Sequence, residues 1–214
     1  MHFNLEEQEQ LAEFKAWWKQ YGKLLIVAAV SISLAYSAYV GYGWWQERQS
    51  MGASKLYETL LLSAQKQDIQ GTLRAANDLQ DQYSSTSYAG MSALVAAQVA
   101  NSSGDMTGAE KNLRWSVENA KVDSHRDIAR SRLVSLLIDK GDFAEAQKLA
   151  AASVSKPFEA LMLERRGDVE LAQQKNQEAR KFYQEAWNKL EKNPEAADEA
   201  KRLLKIKLDA VGGR

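Results

Sequence analysis

Charge disappears from the chain between Lys23 and Gln46. The intervening stretch, LLIVAAVSISLAYSAYVGYGWW, is 22 residues long. As a helix it covers about 33 Å at 1.5 Å per residue, against a bilayer hydrocarbon core of about 30 Å. The pattern predicts a transmembrane helix over residues 23–45. Tyr21 at one end and Tyr42, Trp44 and Trp45 at the other are amphipathic aromatics of the kind that settle at headgroup depth. Upstream, Leu11, Phe14, Trp17, Trp18 and Tyr21 recur at helical spacing opposite Glu and Gln. This predicts a short amphipathic helix over residues 5–21 of a leader, 1–22. Beside a bilayer such a helix lies in the interface, with Gly22 as the bend into the span; the alternative is a solvated leader that continues the membrane helix. Glu6, Glu7, Glu9 and Glu13 before the span are wrong for the basic start of a cleaved signal peptide, and the apolar run is too long for one.

Beyond residue 50 the apolar positions keep a helical period almost to the end, and the pattern repeats. The phrases GTLRAAND, GDMTGAEKNL, GDFAEAQKL and KNQEARKFY align on Ala75, Ala109, Ala146 and Ala179, at spacings of 34, 37 and 33 residues. A period near 34 is that of tetratricopeptide (TPR) helix pairs, in which a small residue sits where two helices cross. Gly104-Asp105 and Gly141-Asp142 supply the turn inside two of the pairs, since glycine accepts a left-handed backbone and aspartate caps the next helix. In this alignment Gln70 takes the glycine place of the first pair. Ala97 and Gly167 fill matching small positions, and Pro157 and Pro194 end the third and fourth units. The expected fold is all-α: N-terminal amphipathic and transmembrane helices, then a TPR-like α-solenoid over residues 46–214. That solenoid has about four helix pairs and a C-terminal capping helix near 195–210.

Composition narrows the function. Basic and acidic residues number 28 each, for a net charge of +0, so no broad basic surface invites nucleic acid. Cysteine is absent, which removes disulfides, thiolate metal sites and cysteine catalysis. The histidines are His2 and His125. Asp123-Ser124-His125 contains the residue types of a catalytic triad, but consecutive positions do not assemble one. No phosphate-binding glycine loop or metal-ligand cluster stands out. No catalytic, metal or cofactor site is expected, and the chain is read as non-enzymatic. The basic residues near the C-terminus, Lys181 to Lys207, alternate with Glu185, Glu191, Glu195, Asp198 and Glu199 and read as solvated faces.

Two candidate contact surfaces remain. Ala29, Ser33, Ser37 and Gly41 recur every four residues in the span. Such a smooth stripe suits close helix–helix packing in a membrane, although small residues are also ordinary in spans. A solenoid also presents a groove lined by the first helix of each pair. Counting from the aligned alanines, its lining is Tyr57, Leu60, Met91, Leu94, Gln98, Ile128, Ser135, Ile138, Leu161, Glu164, Asp168 and Leu171. This set contains no lysine or arginine, which argues against capture of a peptide's terminal carboxylate and favours hydrophobic segments or a partner's helix.

Taken in order, the leader EEQEQLAEFKAWWKQYGK, the single span and the repeats ending in ERRGDVELAQQKNQEARKFYQEAWNKL resemble the ancillary subunit family of the bacterial Sec translocon. The resemblance covers nearly the whole chain. It implies a single-pass inner-membrane protein beside the SecYEG channel subunits. It also implies a membrane-anchored periplasmic chaperone of the prolyl-isomerase type as partner, and a role in passing unfolded secretory proteins to periplasmic folding factors. Lys15, Lys19 and Lys23 before the span outnumber Arg48 and Lys55 after it, which favours a cytoplasmic N-terminus and a periplasmic repeat domain. The competing reading is a TPR scaffold in another inner-membrane assembly, for division, transport or cofactor maturation.

Overall fold

The computed structural model describes residues 5–194 and 197–212. Among these, all regular structure is helical: α1 (Leu5–Gln65), α2 (Ile69–Gln82), α3 (Ser87–Ser102), α4 (Met106–Asn119), α5 (Asp123–Lys140), α6 (Phe143–Ala150), α7 (Glu159–Ala172), α8 (Asn176–Glu191) and α9 (Asp198–Ala210). The chain divides into two units, Met1–Arg48 and Gln49–Arg214.

In the first unit α1 runs through Gly22 without a break, so no helix end separates the leader from the apolar stretch, as the continuous alternative expected. Gly22 is buried beneath the indole of Trp18, and a Cβ at this position would lie 3.0 Å from the ring. The missing side chain makes room for the ring one turn earlier; it does not free the backbone. Phe14 stacks on Trp17 and Trp18 with ring centres 6.2 and 6.3 Å apart, and Trp17 lies 5.8 Å from Tyr21. Toward the other end of the apolar stretch the Arg48 guanidinium sits 4.0 Å over the Trp44 ring. Among the described residues α1 is the one helix long and apolar enough to cross a membrane, and none of its most apolar window is buried.

In the second unit helices pack on their neighbours in chain order, and the first helices of successive pairs also touch, α3 against α5 and α5 against α7. Four turns link the two helices of a pair, and all four have the same backbone. Gln67, Gly104, Gly141 and Gln174 take positive φ of 59°, 83°, 79° and 63°. The next amide bonds back to a carbonyl five residues earlier: Asp68 to Ser63, Asp105 to Ala100, Asp142 to Leu137 and Lys175 to Glu170, each at 2.9 Å. This is the hydrogen bond that closes a Schellman-type helix end. The carboxylates of Asp68, Asp105 and Asp142 then accept from the amides of Gly71, Gly108 and Glu145 at 2.9, 2.8 and 3.2 Å, capping α2, α4 and α6.

These turns correct the register of the first pair. The residues four beyond each cap are Thr72, Ala109, Ala146 and Ala179, whose amides donate to the cap carbonyls and which are all buried. Thr72, not Ala75, occupies the first crossing, and the turn glutamine is Gln67, not Gln70. Pro157 also departs from expectation. α6 already stops at Ala150, and Pro157 lies in the short 3-10 turn Lys156–Phe158 that opens the fourth pair. Pro194 does follow the end of α8.

The interior is built mainly from alanine, with larger side chains at intervals. Ala53, Leu60, Ala75, Ala76, Leu79 and Ala96 form one cluster; Leu113, Leu133, Val134, Leu137, Met162 and Val169 anchor a second; Ala179, Tyr183, Ala186, Leu204 and Leu208 form a third beneath α9. Alanine at crossings lets helices approach closely, and the dispersion gained over many close contacts replaces the bulk of larger side chains. Ala97 and Gly167 are both buried as expected, and the Tyr183 ring lies directly against the Gly167 α-carbon.

Candidate functional site: a groove along the first helices of the repeat unit

Two pockets adjoin at Gln98. One, of about 550 Å³, lies between the end of α1, the start of α2 and α3, lined by Ala64, Gln67, Ile69, Thr72, Val95, Gln98, Val99, Ser102 and Ser103. The other, of about 380 Å³, lies between α3 and α5, with Gln98 and Asn101 on one side, Ser131, Arg132, Ser135 and Asp139 on the other, Ala109 and Leu113 as floor and Arg165 of α7 at its far end. The groove is therefore more apolar at its α1 side than at its α5 side, where charged side chains line it.

Of the twelve expected groove residues, Gln98 and Ser135 line these pockets. Leu60 is fully buried in the core. Tyr57 packs against that core with its ring 5.5 Å from Tyr88, and burial, with Tyr88 beside it, raises its hydroxyl pKa. Leu94 and Ile138 are half-buried against the central cluster, so charge at either would disturb packing before it disturbed binding. Met91, Ile128 and Leu161 are half-buried, and Leu171 is exposed; none lines the groove pockets.

Glu164 and Asp168 are already occupied. The Lys207 ammonium of α9 donates to Glu164 Oε1 at 2.6 Å and to Asp168 Oδ1 and Oδ2 at 2.7 and 2.9 Å. The Tyr183 hydroxyl donates to the same Asp168 at 2.8 Å; burial, then the Asp168 charge, raise its pKa well above the ordinary phenol value. Arg165 donates to Ser131 Oγ at 3.0 Å and pairs closely with Asp168. From α5 onward the groove is thus closed by the protein's own ion pairs.

The expectation of a groove without basic residues is not met: Arg132 and Arg165 both line the α3–α5 pocket. They, with Asn101 and Asp139, were missed because the sequence count was anchored on the aligned alanines and followed a stripe one turn away. Positions three or four residues from Gln98, Ile128, Ser135 and Leu161 share their helix face, and that spacing was the available signal.

In the span, Ala29, Ser33, Ser37 and Gly41 are all exposed. The Ser33 hydroxyl donates to the Ala29 carbonyl at 2.9 Å, so it is spent within its own helix. A Cβ added at Gly41 meets nothing within 4 Å. At the start of α5, Asp123 pairs with Arg126. His125 Nδ1 is buried without a hydrogen-bond partner, its pKa lowered by burial. Asp123, Ser124 and His125 are therefore not joined as a nucleophile, base and orienting acid. His2 lies outside the described residues.

A family model described as a Tetratricopeptide repeat-like domain matches residues 15–213. The chain is 31% identical to the "Ancillary SecYEG translocon subunit" of Neisseria gonorrhoeae over 99% of its own length and 100% of the relative's. Proteins of the same name from Aggregatibacter actinomycetemcomitans and Haemophilus influenzae are 28% and 27% identical, each over 87% of this chain and 91% of the relative. With the apolar helix, the repeated turn and the helix-pair array in the same order, the chain belongs to the family of ancillary SecYEG translocon subunits.

Proposed function

We propose that the chain is a non-enzymatic accessory subunit of the Sec translocon, which receives segments of emerging secretory polypeptides in the groove of its repeat unit and passes them toward periplasmic chaperones. The observation that carries this reading is the 31% identity extending over the full length of a relative named for that complex. The open groove between α1, α3 and α5 is the surface suited to receive a polypeptide, since a stack of helix pairs exposes its first helices side by side. In this reading α1 spans the inner membrane once, the repeat unit is periplasmic, and the Ala29, Ser33, Ser37 and Gly41 stripe meets a channel helix. A membrane-anchored prolyl-isomerase-type chaperone is the proposed partner on the periplasmic side.

Photocrosslinking in native membranes tests this. With a photoreactive residue at Ser37 and, separately, at Gln98, the expected products are channel subunits from the span and secretory chains or the chaperone from the groove. Recovery of some other inner-membrane complex alone, from both positions, would replace this reading with the scaffold alternative.

A further inference from the structure

Two charged side chains of α5 line the α3–α5 pocket without a charged partner. Arg132 makes one long polar contact, 3.5 Å to the Leu94 carbonyl, and Asp139 makes no hydrogen bond or ion pair among the described residues. Elsewhere on α5 the ionic side chains are engaged: Arg126 with Asp123, Arg130 with Asp127 and Lys140 with Glu110. Arg165, the pocket's other cation, is held by Ser131 and Asp168.

Arg132 and Asp139 are seven residues apart, two turns or about 10.5 Å along the helix, with Ser135 between them. That gap matches an extended chain crossing α5 over Ser135. Successive side chains of such a chain point to opposite sides, so one residue reaches Arg132 and the next reaches Asp139. Across the pocket, Gln98 and Asn101 expose amides that both donate and accept, as a peptide main chain requires.

We infer that the α3–α5 pocket holds an extended segment of another polypeptide by its main chain, and that Arg132 and Asp139 select neighbouring residues of opposite charge, the acid toward Arg132 and the base toward Asp139. This rests on the reading that the groove receives polypeptides, and specifies which segments it keeps.

The test uses the full chain in nanodiscs and two fluorescein-labelled peptides with blocked ends, Ser-Val-Glu-Lys-Val-Ser and Ser-Val-Gln-Gln-Val-Ser, read by polarisation. Exposed ion pairs are weak, so each charge contributes about threefold and the pair about tenfold at low salt. R132Q and D139N should each remove about threefold of that preference, and the double variant should bind both peptides alike, with unchanged melting temperature. Equal binding of the two peptides by the unaltered chain would overturn charge selection while the polypeptide reading stands. If neither peptide binds, nor crosslinks to a photoreactive residue at Gln98, both fall together.

Discussion

A methyl group at Gly167 would run into the ring of Tyr183, which is fully buried and fixed by its bond to Asp168. Gly167→Ala gains about 1 kcal/mol of helix propensity but overpacks a closed crossing at about 1–3 kcal/mol. The expected outcome is a net loss, read as a lower urea midpoint. The opposite sign is expected at the two turn glutamines. Gln67 and Gln174 hold φ of 59° and 63°, where a side chain costs about 1 kcal/mol that glycine does not. Gln67→Gly and Gln174→Gly should each raise the midpoint. The same glutamines show why the first turn was misread. Glycine marked the left-handed residue in two repeats and glutamine hid it in the others, but Asp68 followed by Gly71 repeats the spacing of Asp105 and Gly108 and was the signal to follow. The groove face suffered likewise: spacing puts Arg132 and Arg165 on the face of Ile128 and Leu161, but which part of a half-buried helix is open depends on the neighbouring helices, which a local period does not specify.

Whole helices carry two further consequences. Arg114 of α4 donates to Glu145 of α6 at 2.6 and 2.7 Å and to Glu110 at 2.8 Å, and Lys140 of α5 closes on Glu110. The Lys140 and Arg114 bonds lower the Glu110 pKa, and the Arg114 bond lowers that of Glu145. Because both folded values are depressed, their contribution is complete above the ordinary value of 4.5 and is lost as pH falls through the folded values. Solvent screening limits it to about 1 kcal/mol. Glu110→Gln with Glu145→Gln should therefore lower the urea midpoint at pH 7, by an amount that shrinks as pH falls below 4.5 toward the depressed folded values. In α1, helical continuity through Gly22 changes the account of the aromatics. Trp17 and Trp18 lie 27 residues before Trp44 and Trp45, about 40 Å along a helix, close to the thickness of a bilayer with its headgroups. The leader aromatics then suit one belt of a spanning helix better than an in-plane segment. Substituting leucine at Ser33, Ser37 and Gly41 should reduce co-purification of a membrane partner while leaving the repeat unit's circular dichroism unchanged; unchanged recovery would assign the stripe to ordinary span composition.

For the molecule as a whole, the anchored reading makes a plain demand: the full-length product should stay with the membrane pellet through high salt and alkaline carbonate and enter solution only with detergent. Release by carbonate would remove the membrane-spanning premise on which the translocon reading depends. The array of paired helices was legible from the alanine period and the Gly-Asp turns, because both are local, whereas the closure of the groove by Lys207 joins positions 43 residues from Glu164 and left no local trace. The neighbour-on-neighbour packing of α2 to α9 bears on how the protein comes into being. Each helix meets partners at most two helices away in the chain, so loop closure costs little at every step. A nascent copy emerging amino end first can complete each pair as it arrives, without waiting for its own carboxyl end.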